Sequence, residues 1–77
     1  MAIKVRFFAS LREQHPEGLD QVEADGVQTV AQVWERATSS ALMPENVLCS
    51  VNLEHRDSGE PVSDGDEVAF FPPVTGG

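Results

Sequence analysis

Alternating apolar and polar residues open the chain and predict a half-buried strand over residues 3–9. The face toward the core holds Ile3, Val5, Phe7 and Ala9, and the opposite face holds Lys4, Arg6 and Phe8. Residues 12–18 are polar and include Pro16 and Gly18, so we expect a turn there. A second alternation over residues 19–24 predicts another strand, joined to the first as a hairpin.

A helix is predicted from Val30 to Ser39. Thr29 and Gln32 have the spacing of a capping box, in which the hydroxyl caps the helix and the amide reaches back. The apolar residues that follow at helical spacing are Val30, Val33, Trp34 and Ala37. Because Trp34 is the largest of them, we expect it to make the main contact between helix and sheet.

Three further strands are predicted over residues 47–51, 53–56 and 67–71, with turn sequences at 57–59 and 63–66. A hairpin, one helix and then more strands give an α+β domain in which a mixed sheet packs on one main helix. The first and last strands would lie side by side and parallel, with the helix as the crossover. This order is the β-grasp arrangement, the fold of ubiquitin.

Composition and charge narrow the function classes. The chain has 77 residues, which make one small domain, and a formal net charge of −8. Nucleic acid is therefore a poor partner, because phosphate binding needs clustered basic groups. No apolar run approaches the roughly 20 residues that span a bilayer. The first residues lack the apolar region of a signal peptide, so we expect a cytoplasmic protein with no membrane partner.

The side chains offer no catalytic or metal centre. Cys49 is the one cysteine, which excludes a disulfide framework, and its place on a predicted strand indicates a small buried hydrophobe. His15 lies in a loop and His55 near a turn, with no catalytic grouping around either. The acidic residues at 64–67 favour a turn, because the ligand spacing of a calcium loop is absent. We expect no bound metal.

The C-terminal residues carry the strongest functional signal. Pro72 and Pro73 favour an extended, stiff spacer after the last strand. Glycine accepts nearly any backbone conformation, so the terminal pair Gly76 and Gly77 suits a tail that threads a narrow slot. We expect a domain over residues 1–71 and a flexible tail over 72–77. The alternative is a frayed end without chemistry.

Strand parity predicts an exposed aromatic pair near the tail. If Val68 and Phe70 face the core, Phe71 faces outward beside Phe8. Two adjacent exposed phenylalanines indicate a patch for docking a partner, which Arg6 and Arg12 would flank. The alternative is local packing of the two rings against a loop.

The chain resembles the small, sulfur-carrying subunits of molybdopterin synthase, which belong to the ubiquitin-like β-grasp group. The resemblance is specific at the C-terminus, where residues 64–77 read DGDEVAFFPPVTGG. It also covers residues 5–9 and 11–13 near the start and residues 51–52 in the middle. The stretch from Ser39 to Asn46 matches only in pattern, and its shortness leaves a second helix there in question.

The resemblance implies a mechanism and partners. A ubiquitin-activating-type enzyme consumes ATP to adenylate the C-terminal carboxylate, and a sulfur donor converts it to a thiocarboxylate. Gly77 would then bear the sulfur, and Val74, Thr75 and Gly76 would thread into the large subunit of molybdopterin synthase. The sulfur passes there to precursor Z. The chain would hold no permanent cofactor and would catalyse nothing alone.

Three different roles remain open on the sequence. The chain could carry sulfur for another pathway, such as the thiamin thiazole or a tRNA base. It could modify proteins through the same terminus, or it could be a binding module whose tail has no chemistry. The Pro-Pro pair and the Phe-Phe strand favour molybdopterin.

Overall fold

The computed structural model describes residues 2–16, 18–38, 42–44 and 46–73. Its strands and helices, in chain order, are β1 (Ala2–Phe7), α1 (Ser10–Gln14), β2 (Gln21–Glu23), α2 (Val30–Ala37), β3 (Leu48–Val51), β4 (Glu54–Arg56) and β5 (Glu67–Phe71). The strands form one five-stranded sheet in the order β2-β1-β5-β3-β4. Among the helices of the described ranges, none has the length and apolarity of a membrane span.

The sheet has the predicted mixed topology. β1 pairs with β2 and β3 pairs with both β4 and β5, in each case antiparallel. β1 and β5 run parallel, with Val5 opposite Val68 and Phe7 opposite Phe70. Parallel neighbours need a crossover, because a tight turn cannot join strands that run the same way. The α+β class and the β-grasp arrangement are thereby confirmed.

Helix α2 begins where the sequence predicted. The Thr29 hydroxyl accepts a bond from the Gln32 N–H at 3.4 Å, and the Gln32 Oε1 accepts one from the Thr29 N–H at 3.1 Å. This capping box satisfies two N–H groups that the first turn leaves without partners. The helix ends at Ala37, and its predicted last residue, Ser39, lies outside the described residues.

Trp34 joins the helix to the sheet, as predicted, with only 1% of its surface exposed. Its ring lies edge-on to Phe70 at a centroid distance of 4.9 Å and to Phe7 at 5.5 Å. His15 adds a third edge contact at 5.0 Å. Edge-to-face pairs of this kind stabilise a core beyond the area that they bury. Four rings from different parts of the chain therefore form the centre of a small core.

The first strand is shorter than predicted, and a helix follows it. β1 ends at Phe7, and Ala9 is exposed with a φ of 53°, so its predicted place on the core face was wrong. A positive φ reverses the chain direction at Ala9 and starts α1, which buries Leu11. Residues 12–14 are therefore helical where the sequence predicted a turn. The sequence did not predict this helix, because its residues are polar apart from Leu11, the one buried residue that anchors it.

The second strand is also shorter than its alternation indicated. Only Gln21–Glu23 pairs with β1, and Val22 turns its side chain into the core. Leu19 is half exposed, and its N–H donates to the Ala37 carbonyl of α2 at 2.9 Å. Asp20 still accepts the Val5 N–H at 2.9 Å, so the chain is away from the sheet edge at Leu19, where it contacts the helix. Within the ranges that the structure describes, the β1 edge at Phe7 has no neighbouring strand.

Candidate functional site

The tail leaves the sheet beside two other strand ends. β5 ends at Phe71, and Pro72 and Pro73 follow as half-buried residues. The predicted tail residues Val74, Thr75, Gly76 and Gly77 lie outside the described residues. The structure therefore locates the tail's point of exit. At this point the end of β1 and the start of β3 flank the end of β5.

Phe8 and Phe71 meet at this exit, as strand parity predicts. Their rings stack at a centroid distance of 5.0 Å and are inclined by only 9°. Phe8 is 41% exposed and Phe71 is half-buried, whereas Val68 and Phe70 are fully buried on the opposite face. A stacked, solvent-facing aromatic pair presents a flat apolar surface, which is the kind of feature that marks interaction sites.

Two residues that the sequence reasoning missed extend this surface. Leu48 is 41% exposed and lies directly opposite Phe71 in the β3–β5 register, so the two side chains share a face. The His55 ring lies 6.1 Å from the Phe71 ring. We call Phe8, Leu48, His55 and Phe71 the aromatic patch. The parity of β3 carried the signal for Leu48, because its neighbour Cys49 faces the core.

Arg6 and Arg12 lie beside the aromatic patch. Arg6 forms an ion pair with Glu67, with its Nε 2.8 Å from the Glu67 Oε2. Both arginines line an open depression of about 660 Å³, together with Lys4 and Phe8. The predicted flanking positions are thus occupied by exposed guanidinium groups. Their role in partner binding stays a prediction.

The Asp-Gly-Asp sequence has a structural role. One carboxylate oxygen of Asp66 accepts the Asn52 amide at 3.0 Å, and the other accepts the Ser63 N–H at 2.8 Å. The Asn52 Oδ1 in turn accepts the Glu67 N–H at 3.0 Å. Gly65 has a φ of +91°, which favours glycine. These bonds hold the start of β5 against the β3–β4 turn. Within the described ranges, no group of three acidic, histidine or cysteine side chains could hold a metal ion.

Cys49 is a buried thiol. Its Sγ lies 2.9 Å from the Arg56 carbonyl oxygen, to which the thiol donates. Burial, reinforced by the nearby carboxylates of Asp57 and Glu60, raises the pKa of the Cys49 thiol. Since the thiolate is the nucleophile, these surroundings make Cys49 unreactive.

The sheet order, the crossover helix and the aromatic pair at the strand ends define a ubiquitin-like β-grasp domain. Solved structures support this class. Small archaeal modifier protein 1 of Haloferax volcanii is similar with a TM-score of 0.72 and 26% identity, covering 95% of this chain and 98% of that one. The BexX/CysO complex of Amycolatopsis orientalis contains a chain that is similar with a TM-score of 0.67 and 29% identity, covering 97% and 99%.

The chain belongs to the ThiS family, whose model matches residues 5–77. The molybdopterin synthase sulfur carrier subunit of Escherichia coli (strain K12) is 42% identical over 80 residues, covering 97% of this chain and 99% of that protein. The subunit of the same name from Haemophilus influenzae is 35% identical over 82 residues, with the same coverage. The family resemblance that the sequence indicated is thereby confirmed.

Proposed function

We propose that this protein is a sulfur carrier for molybdopterin synthase and delivers sulfur from its C-terminal glycine. The observation that carries the proposal is the stacked pair of Phe8 and Phe71 at the point where β5 passes into Pro72. An apolar docking surface next to a Gly-Gly end is what a carrier needs, since the partner must hold the domain while the tail reaches a buried centre. The two named relatives support the same role.

The chemistry takes place at Gly77. An adenylating enzyme joins the terminal carboxylate to AMP with release of pyrophosphate from ATP, because a free carboxylate is a poor electrophile. Sulfide supplied by the donor attacks the acyl carbon, the bond from that carbon to AMP breaks, and a thiocarboxylate remains. Gly76, Thr75 and Val74 form the part of the tail that enters the partner. Small residues suit this part, because a bulky side chain would block both the adenylation pocket and the sulfur-transfer pocket.

The domain over residues 1–71 would dock on the partner protein, and the tail over 72–77 would extend from it into the partner's active centre. Phe8 and Phe71 would contact the large subunit of the synthase, with Arg6 and Arg12 at the border of the contact. The chain is then a sulfur-donating subunit whose partner supplies the catalytic groups. This role requires neither a permanent cofactor nor a metal, and we assign it to the cytoplasm.

Sulfur transfer in a reconstituted system tests this proposal. The components are the chain, the adenylating enzyme, ATP, a sulfide source and the large subunit, with precursor Z as acceptor. Removal of Gly77 should abolish formation of the dithiolene product, and Gly76→Trp should do the same. Leu53→Ala, a change at an 87% exposed leucine in the β3–β4 turn, is the matched control and should transfer normally. Normal transfer without Gly77 would contradict the proposal.

A second candidate is a protein modifier, and the similarity to small archaeal modifier protein 1 favours this role over a binding module without chemistry. In that case an amine of a target protein, rather than sulfur, would attack the activated Gly77 carbonyl. The product would be an amide bond to lysine. Trypsin cleaves this chain last after Arg56, so peptides in which a lysine of another protein carries residues 57–77 would identify this role. Their absence, together with a sulfur-bearing terminus, would identify the carrier.

A further inference from the structure

The surface beside the aromatic patch carries more positive charge than the composition predicts. The chain has 13 acidic residues and five lysines or arginines, yet three of those five line the depression beside Phe8. Among the described residues of the same lining, Asp20 is the one that is acidic. Arg6 is paired with Glu67, whereas Lys4 and Arg12 have no ion-pair partner among the described residues. Unpaired cations at one place on an acidic domain indicate a site for negative charge.

An open strand edge borders this depression. Lys4 and Phe8 donate their N–H groups to the β5 side, at 3.0 and 3.1 Å, and Val5 donates to the Asp20 carbonyl on the β2 side at 2.9 Å. Backbone groups alternate between the two neighbours of a strand, so the N–H and C=O of Phe7 point to the β2 side. The strand register with β2 ends at Lys4, and the bond from Val5 to Asp20 continues the contact by one residue. Among the described residues, no strand therefore pairs with the edge of β1 at Phe7.

We propose that this place binds an extended acidic segment of a partner protein, which adds to the edge of β1 at Phe7 and sets its carboxylates against Lys4, Arg6 and Arg12. Strand addition explains the open edge, and the cations explain the charge of the segment. We call the place the acidic-segment site. This site adds detail to the docking step of the proposed function. It rests on the proposed function only for the identity of the partner protein.

The spacing of side chains fixes the expected sequence of the segment. Residues i, i+2 and i+4 of an extended strand lie on one face. Arg6 and Phe8 are two residues apart and share a face, and Arg12 lines the same depression, so we expect an apolar residue over Phe8 with an acidic residue two positions before it and another two positions after it. The pattern is acidic-x-apolar-x-acidic. A phosphate group would use the same cations, but it would leave the strand edge unused.

Titration of the ¹⁵N-labelled full chain tests the acidic-segment site directly. The probe is the peptide acetyl-Glu-Thr-Val-Thr-Glu-amide, and the control is the same peptide with glutamine for both glutamates. We expect saturable shifts of the amide signals of residues 6–9, Phe7 above all. The glutamate peptide should bind about three- to fivefold more tightly than the control, as expected for exposed charge pairs, and added salt should remove this preference.

Variants of the chain separate a specific site from general charge. Arg12→Gln should weaken the glutamate peptide about threefold, whereas Arg12→Lys should retain binding. Arg56→Gln is the matched control, because Arg56 lies on β4 at the other edge of the sheet and is paired with Glu54 at 2.9 Å. These arginines are exposed, so the variants should fold.

Several outcomes would overturn the acidic-segment site. Equal binding of both peptides, absent shifts at residues 6–9, or an equal loss for Arg12→Gln and Arg56→Gln would each do so. Pyrophosphate that shifts the same signals and displaces the glutamate peptide at lower concentration would assign the cations to phosphate instead. None of these results depends on sulfur transfer by Gly77, so failure of this site and failure of the carrier function are distinguishable.

Discussion

Phe8 and Phe71 stack face to face across the β1–β5 boundary, on the side of the sheet away from α2. Phe7 and Phe70, their neighbours in sequence, stack at 5.5 Å on the core side. Each of these two strands thus ends in a pair of consecutive phenylalanines, at or just beyond its last residue, with one ring in the core and the other facing solvent. The outer pair, Phe8 and Phe71, lies where the tail leaves the domain. The packing of the strands therefore fixes the surface from which the tail extends.

Phe71→Ala should weaken binding of the large subunit more than it weakens folding. A buried aromatic anchor in an interface is worth about 2 kcal/mol or more, roughly a thirtyfold change in affinity. Calorimetry against the purified large subunit would measure the affinity, with Leu53→Ala as a control at the opposite end of β3. Combination with Phe8→Ala should be non-additive, because both rings fill one surface. Unchanged affinity with a lowered melting temperature would show that Phe71 serves the fold alone.

Trp34→Ala should lower the free energy of unfolding by about 3–5 kcal/mol, as other large-to-small changes in protein cores do. A domain of this size has about 5 kcal/mol of stability or less, so we expect much of this variant to be unfolded. Trp34→Phe is the more informative change. The indole Nε1 is buried and finds no acceptor among the described residues, and burying such a donor is unfavourable. Phenylalanine removes that donor and keeps an aromatic ring.

Chemical denaturation would measure both Trp34 variants. We expect Trp34→Phe to lower the free energy of unfolding by less than about 1.5 kcal/mol. The smaller ring loses packing, but the change also removes the cost of burying an N–H group without an acceptor. If Trp34→Ala melts like the parent protein, the indole does not hold the helix to the sheet. If Trp34→Phe is as damaging as Trp34→Ala, the indole N–H has a partner that stabilises the fold.

Leu53→Gly should stabilise the protein. Asn52 and Leu53 connect β3 to β4 with φ values of 52° and 72°, and positive φ at both central residues is the signature of a type I′ hairpin. Asparagine tolerates this conformation, but leucine is strained in it. Leu53 is 87% exposed, so glycine removes the strain without removing packing. We expect a gain of up to about 1 kcal/mol, which is several degrees in melting temperature. Leu53→Ala retains the strain, and an equal gain for it would contradict the explanation.

Cys49 should make the protein less stable at high pH. Its pKa is raised in the fold by burial first and by Asp57 and Glu60 second. The folded state therefore keeps the thiol proton where the unfolded state has released it. The stability that the neutral thiol contributes is present below the ordinary thiol pKa of about 8.5 and is lost as the pH rises through the folded value.

Denaturation of the parent and of Cys49→Ala across the alkaline range measures this contribution. Subtracting the two curves cancels every other titrating group. The difference in free energy of unfolding should shrink as the pH rises above the ordinary thiol pKa. A difference that is constant with pH would mean that Cys49 ionises as freely in the fold as in the unfolded chain.

Patterns within single elements of the sequence correctly predicted the features that depend on residues close together in the chain. The capping box at Thr29 and the helical spacing of Val33 and Trp34 identified α2, and strand parity placed Phe8 beside Phe71. Parity succeeded because β1 and β5 are neighbours, so one alternation constrains the other. The β-grasp order followed from the sequence of elements.

The errors came from contacts that are distant in sequence. Helix α1 was missed because it has one buried residue, Leu11, and no hydrophobic repeat. β2 was overestimated because the bond from Leu19 to Ala37 of α2 draws the chain away from the sheet. The parity of β3 indicated the outward face of Leu48, but its place opposite Phe71 depends on the register between β3 and β5, which no single strand reveals.

The central claim is that Gly77 carries sulfur, and mass spectrometry of the C-terminal peptide from the native cell tests it most directly. We predict a fraction of peptide whose mass has increased by the exchange of one oxygen for sulfur. Alkylation should trap this fraction at Gly77, and loss of the adenylating enzyme should abolish it. A terminus that remains a plain carboxylate while the cell makes molybdopterin, or that occurs only as an amide with lysine, would contradict the claim.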